Sequence, residues 1–143
     1  AKRGNDLVPS TSTTKDPTTY LLQHDRDVMG NAALMLAVNR GHYKVAKFVL
    51  DYPSGIEMID DANNNGETPL MRASKKGFVG IMRLLLMKGA DVDVVDNNDE
   101  NAFVYGIKAQ MTASTDLLKE YYDLDGRGTE ISKMMEKIKQ EKY

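Results

Sequence analysis

The chain repeats itself. Gly30-Asn31-Ala32-Ala33-Leu34-Met35-Leu36-Ala37 lies over Gly66-Glu67-Thr68-Pro69-Leu70-Met71-Arg72-Ala73 at an offset of 36 residues, with Gly, Leu, Met and Ala in register. The register continues as Gly41-His42-Tyr43-Lys44-Val45 over Gly77-Phe78-Val79-Gly80-Ile81, and as Phe48-Val49-Leu50 over Leu84-Leu85-Leu86. A second offset, of 33, sets Gly66 over Asp99, Leu70 over Phe103, and Leu84-Leu85 over Leu117-Leu118. The three extra residues of the first offset fall in Asp51-Tyr52-Pro53-Ser54-Gly55, a turn-rich stretch that tolerates insertion. A period of this length is one supersecondary unit that cannot bury its own apolar face. Such units are stable only when stacked, so the repeat restricts the chain to a quasi-one-dimensional array.

The unit can be read from its residues. Thr68-Pro69 opens a helix, with a hydroxyl at the cap and proline in the first turn. Leu70 and Ala73 share one face of it, and Gly77 ends it by entering the left-handed region cheaply. A second helix carries Ile81, Leu84 and Leu85 on one face. Gly89-Ala90 ends that helix, and Asp91 to Asn98 reads as an extended polar loop. Neither helix is long enough to stand alone.

The stretch Asn65-Gly66-Glu67-Thr68-Pro69-Leu70-Met71-Arg72-Ala73 resembles an ankyrin repeat. The resemblance continues through Gly77 and Leu84-Leu85-Leu86-Met87-Lys88-Gly89-Ala90-Asp91-Val92-Asp93. The first unit keeps Gly30, Leu34, Ala37, Gly41-His42 and Val45 but has Ala32-Ala33 where Thr-Pro is usual. The third keeps Asp96, Lys108, Leu117 and Leu118, with Asp99, Asn101-Ala102 and Gln110 where Gly, Thr-Pro and Gly are usual. The resemblance covers residues 27 to about 122 and implies an all-α solenoid of about three helix-turn-helix repeats. It divides the chain into a polar tail over 1–15, a cap over 16–26, repeats over 27–62, 63–95 and 96–122, and a cap helix over 129–142. One departure concerns the position after Thr-Pro-Leu, where the family holds a His that ties neighbouring loops. Here it is Met35, Met71 and Val104, which predicts a softer loop array or an apolar binding strip.

Composition narrows the chemistry. The 143 residues carry a net charge of −2, which argues against nucleic-acid binding as the main role. No apolar run approaches the ~18–20 residues of a membrane span, so no membrane insertion is expected. Without cysteine there is no disulfide, thiolate catalysis or cysteine metal site. The opening Ala1-Lys2-Arg3 suggests a piece of a longer protein, and the absence of a secretory segment suggests an intracellular, cytoplasmic setting. The 9 methionines mostly read as core or inter-repeat filler: Met82 and Met87 on the second helix of the central unit, Met134 and Met135 on the last helix.

Little points to catalysis. His42 follows a helix-ending Gly, where the ankyrin pattern itself favours it, and His24 sits near a helix C-terminus. No cofactor is expected. Asp123-Leu124-Asp125-Gly126-Arg127-Gly128 resembles the start of an EF-hand loop, with Asp123 and Asp125 as calcium candidates. Arg127 stands where a ligand belongs and Met134 where the closing Glu belongs, which favours a turn made by Gly126 and Gly128 with Thr129 capping the last helix. The cluster Asp91, Asp93, Asp96, Asp99 and Glu100 reads as a solvated loop or as a surface for a basic partner.

The ankyrin resemblance implies recognition of a partner protein through loop tips and the concave inner-helix face. Carried over residue by residue, the first unit gives Val28, Met29, Asn31, Met35, Asn39 and Arg40. The second gives Asn64, Asn65, Glu67, Met71, Lys75 and Lys76, and the third Asn97, Asn98, Glu100 and Lys108. Met29, Met35 and Met71 would lend adaptable apolar area. Two other readings stay open: a substrate-positioning segment of a larger enzyme, and a calcium-responsive module.

Overall fold

The computed structural model describes residues 31–53 and 55–142. Among these residues the chain is helical, with no strand. Three helix pairs follow one another: α1 (Ala33–Asn39) and α2 (Tyr43–Asp51), α3 (Pro69–Lys76) and α4 (Val79–Met87), α5 (Ala102–Lys108) and α6 (Thr112–Leu124). A single 3-10 turn, Ile56–Met58, sits in the longer first connection, and α7 (Gly128–Lys142) closes the array. The first member of each pair packs on the next, α1 on α3 on α5. The second members form a parallel outer row, α2 on α4 on α6, and α7 packs on α6. This is the stacked solenoid that the period requires.

The apolar spacing decides the burial. Leu34, Leu70 and Phe103 occupy one repeat position and are each buried, as are Leu85 and Leu118 in the outer row. One contiguous core runs through the stack from Ala32 to Ile131. The predicted helix face holds: Ile81, Leu84 and Leu85 are all buried. The cap at residues 16–26, the tail at 1–15 and His24 lie outside the described residues.

The first helices of the three pairs treat their free N–H groups differently. In α3, Thr68 Oγ1 accepts the N–H of Met71 at 3.4 Å, with Pro69 in the first turn. In α5, Asn101 Oδ1 replaces the threonine and accepts the N–H of Val104 at 3.0 Å. In α1, Ala32 offers no side-chain cap.

The third unit reaches the same backbone without the same residues. Gly66 and Gly77 have φ of 80° and 74°; their equivalents Asp99 and Gln110 have φ of 63° and 60°. Left-handed backbone costs an L-residue roughly 1–2 kcal/mol. Stacking on the second unit therefore overrides the local preference. Gly106 serves a different purpose, close approach. A Cβ there would lie 2.9 Å from Ser74 Oγ and 3.0 Å from Thr115 Cγ2. Ser74 Oγ donates to Ala102 O at 2.7 Å, and Ser114 Oγ donates to Ser74 O at 2.9 Å. These two buried serines stitch α3 to α5 and α6 across the repeat boundary.

Three expectations need correction. Met35 and Met71 are buried, at 2% and 1% exposure, so they cannot form an apolar binding strip. Each lies on the buried face of its helix, one position after the core leucine. Met87 is not filler; it stands 83% exposed on the outer face. Thr129 does not cap the last helix, because α7 begins a residue earlier, at Gly128.

Candidate functional site

The loop tips are built by two equivalent residues, Asn63 and Asp96. Asn63 Oδ1 accepts the N–H groups of Asn65 and Glu67, both at 3.0 Å. Asp96 Oδ1 accepts those of Asn98 and Glu100 at 2.8 and 2.9 Å. Each side chain thus folds its own loop by closing a local ring, as Asn and Asp do in turns. The backbone matches, with Asn63 N–H donating to Glu67 O and Asp96 N–H to Glu100 O. Neighbouring tips are then joined. Asn97 N–H donates to Asn65 O at 3.1 Å, and Asn97 Nδ2 donates to Asn64 O at 3.1 Å. Asn63 Nδ2 donates both to Asn31 Oδ1 at 3.1 Å and to Glu67 Oε1 at 2.9 Å.

The predicted soft loop array is therefore overturned. The loss of the family's histidine does not leave the loops untied, because asparagines carry the tie. Met71, at the histidine position, turns inward on its own helix start, where its Sδ accepts the Thr68 N–H at 3.4 Å.

A groove of about 320 Å³ opens beside the tips of the second and third units. Its floor is a polar network in which three side chains are nearly enclosed: Glu67 is 8% exposed, Asp96 7% and Tyr105 9%. The Tyr105 hydroxyl contacts Glu67 Oε2 at 3.2 Å and makes a short hydrogen bond to Asp96 Oδ2. A phenol has one proton for two carboxylates. Glu67 has other donors, which leaves the hydroxyl proton to Asp96 Oδ2. Glu67 is compensated instead by Arg72, whose Nη1 lies 3.4 Å from Oε2, and by Asn63. Arg72 is held in turn by Nε donating to Asn39 Oδ1 at 2.8 Å. Burial pushes the Asp96 carboxyl up, but the Tyr105 hydroxyl and the N–H groups of Glu100 and Asn98 outweigh it, so it titrates below the ordinary carboxylate range. Burial and the two facing carboxylates push the Tyr105 phenol well above its ordinary value of 10.0. The rim is exposed: Lys75, Asn98 and Lys108, with Lys108 Nζ paired to Glu100 Oε2.

The candidate residues now separate. Asn98, Glu100, Lys75 and Lys108 share the groove. Asn64, Asn65, Asn97, Arg40 and Lys76 are exposed. Asn31 and Glu67 are buried, and Asn39 is half-buried against Arg72, so these three organise the surface rather than present it. Val28 and Met29 lie outside the described residues. Asn63 and Tyr105 were not among the sequence candidates, and Asp96 entered only as a member of the acidic cluster. A signal existed for Asn63 and Asp96, which are equivalent under the offset of 33 and both amide- or carboxylate-bearing. None existed for Tyr105, which stands where the second unit has Arg72.

The calcium reading finds no support in the geometry. Arg127 occupies the loop and donates to Glu130 Oε2 at 2.6 Å and to Asp93 Oδ1 at 2.5 Å, with Asp125 Oδ2 at 3.8 Å. Its guanidinium lies 4.9 Å from the centre of the Tyr122 ring. These carboxylates converge on an arginine, which clamps α7 to the preceding loop. Among the described residues no group of three acidic or histidine side chains is placed to hold a metal ion. No helix among them is long and apolar enough to cross a membrane.

Stacked helix pairs with hydrogen-bonded tips along one edge define a helical repeat protein. Residues 29–63 and 65–97 match the ankyrin repeat family. These two stretches, just under half of the chain, are ankyrin repeats. The chain is 40% identical over 63 residues to the Drosophila melanogaster ankyrin repeat and KH domain-containing protein mask, covering 44% of the chain and 2% of that protein. It is 40% identical over 63 residues to the human ankyrin repeat and KH domain-containing protein 1, with the same coverage of 44% and 2%. A putative E3 ubiquitin-protein ligase of Arabidopsis thaliana is 38% identical over 77 residues, covering 53% of the chain and 20% of that protein. The chain thus spans a small part of these relatives. Ankyrin repeats generally bind partner proteins and are typically non-catalytic.

Proposed function

We propose that the chain recognises a partner protein with a basic surface through the groove beside the second and third tips. The observation that carries this reading is the groove itself. Its floor holds the carboxylates of Glu67 and Asp96, its wall that of Glu100, and its rim Lys75, Asn98 and Lys108. Arg72 offsets Glu67 and Lys108 offsets Glu100, so the groove itself is near neutral; the exposed Asp91 and Asp99 of the same loop add the negative charge that favours a cationic segment, and the asparagine-tied tips hold the surface in shape before the partner arrives. Preorganisation of this kind removes part of the ordering cost of binding. Asn65 and Asn97 extend the same edge. An intracellular setting belongs to the proposal.

The test is a pull-down from cell extract followed by mass spectrometry, using the chain and a variant carrying K75A, N98A, E100A and K108A. All four positions lie at the groove's edge, so the variant keeps the buried network. Proteins captured by the chain and depleted about tenfold or more by the variant support the groove. Equal capture by both overturns it. A second reading, substrate positioning for an attached enzyme, is favoured by the similarity to the plant protein named as a putative ubiquitin ligase. In that case captured proteins would be modified by the full-length protein and untouched when the groove is substituted.

A further inference from the structure

The outer face between α4 and α6 carries the two most exposed large apolar side chains among the described residues, Met87 at 83% and Leu124 at 84%. They stand on the wall of a groove of about 210 Å³ that Leu86, Leu117 and Tyr121 also line. Its edges carry one charge of each sign, Arg83 on α4 and Glu120 on α6. Among the described residues neither makes an ion pair, so both charges are available on this face.

A protruding apolar side chain, an apolar groove, a cation and an anion on one face form a self-complementary set. In a two-fold contact the same patch meets itself, so a projection must find a hollow and each charge its opposite. We propose that this face pairs with a second copy of the chain. Leu124 of each copy seats in the groove of the other, and Arg83 of each faces Glu120 of the partner subunit. The charge pattern is what commits the face to a second copy, because one patch supplies both halves of each ion pair. A net charge of −2 offers little long-range repulsion against such an approach. Stable interfaces take roughly 800 Å² from each partner, and one groove with two exposed apolar residues falls short of that. The dimer is therefore weak, with a Kd on the order of 100 µM.

Sedimentation equilibrium of the full chain, from about 10 µM to about 1 mM at low salt, reads this directly. The expected result is a monomer–dimer equilibrium in that range. L124D abolishes it, and R83E or E120R alone weakens it about tenfold. The double variant R83E/E120R restores both cross-pairs and returns Kd to within about threefold of the parent chain. All four positions are checked for unchanged thermal melting, and M87E replaces L124D if the latter melts early. A chain that stays monomeric throughout, an L124D variant that dimerises like the parent, or a double variant no better than the singles overturns the proposal. The groove variant described for partner capture still dimerises, which separates the two readings.

Discussion

Replacing Tyr105 by phenylalanine tests the network under the groove beside the second and third tips. The ring stays and only the hydroxyl leaves, so packing is preserved. What is lost is the short hydrogen bond to Asp96 Oδ2 and the contact to Glu67 Oε2 at 3.2 Å. Asp96 keeps two backbone donors on Oδ1, at 2.8 and 2.9 Å, but Oδ2 loses its donor. Hydrogen bonds to charged groups contribute about 1.5–3 kcal/mol, and Asp96 is only 7% exposed, so little water can substitute. The expected loss is about 2 kcal/mol, a fall in melting temperature of roughly 8 °C for a chain of this size. Urea unfolding followed by circular dichroism at pH 7 measures it. The acid limb adds a second readout. Asp96 titrates below its ordinary 3.8 in the fold, so its contribution is present above that pH and disappears as pH falls through the folded value. The gap between parent and Y105F therefore narrows as the pH is lowered below 3.8. Tyr122 supplies the contrast: it is 1% exposed, and among the described residues its hydroxyl makes no hydrogen bond, so Y122F loses no partner and does not destabilise the fold. A Y105F chain within about 0.5 kcal/mol of the parent at pH 7 refutes the reasoning.

Other consequences follow from the same geometry. G106A drives a methyl to 2.9 Å from Ser74 Oγ and 3.0 Å from Thr115 Cγ2, costing about 1–2 kcal/mol after the helix-propensity gain, measured by urea unfolding. Q110G removes a left-handed glutamine and raises stability by about 0.5 kcal/mol once the looser unfolded chain is counted, whereas G77A, with a Cβ 3.0 Å from Met111 Sδ and φ of 74°, lowers it by at least about 1 kcal/mol. Alkaline pH destabilises the fold: Tyr105 and Tyr122 are held neutral, Tyr122 up to about 12, while the unfolded phenols ionise near 10.0. The folded state then binds more protons, stability falls as pH rises above 10.0, and Y105F makes the slope shallower in a pH series of unfolding midpoints.

The stack was legible because its signals are local or periodic. Thr68-Pro69 and Gly77 mark helix ends through backbone chemistry that holds in any context, and the spacing of Ile81, Leu84 and Leu85 fixes one buried face. The exposed half of the groove was legible too, since Lys75, Asn98 and Lys108 occupy positions set by the period. The direction of a flexible side chain was not. Met35, Met71 and Met87 are alike in sequence, yet two are buried and one is 83% exposed, because the helix face and not the residue type decides.

By itself, the sequence determined the unit, its period and the order of its helices, because these depend on residues close together along the chain. Tertiary structure decided what lies between units. It holds Asp99 and Gln110 in a conformation their own chemistry disfavours, because the neighbouring repeat supplies more than the backbone loses. It also brings Tyr105 from the third unit onto Glu67 of the second, 38 residues away, and sets one phenol hydroxyl beside two carboxylates. No spacing rule along a chain encodes that meeting; it arises only when one repeat is laid on the next.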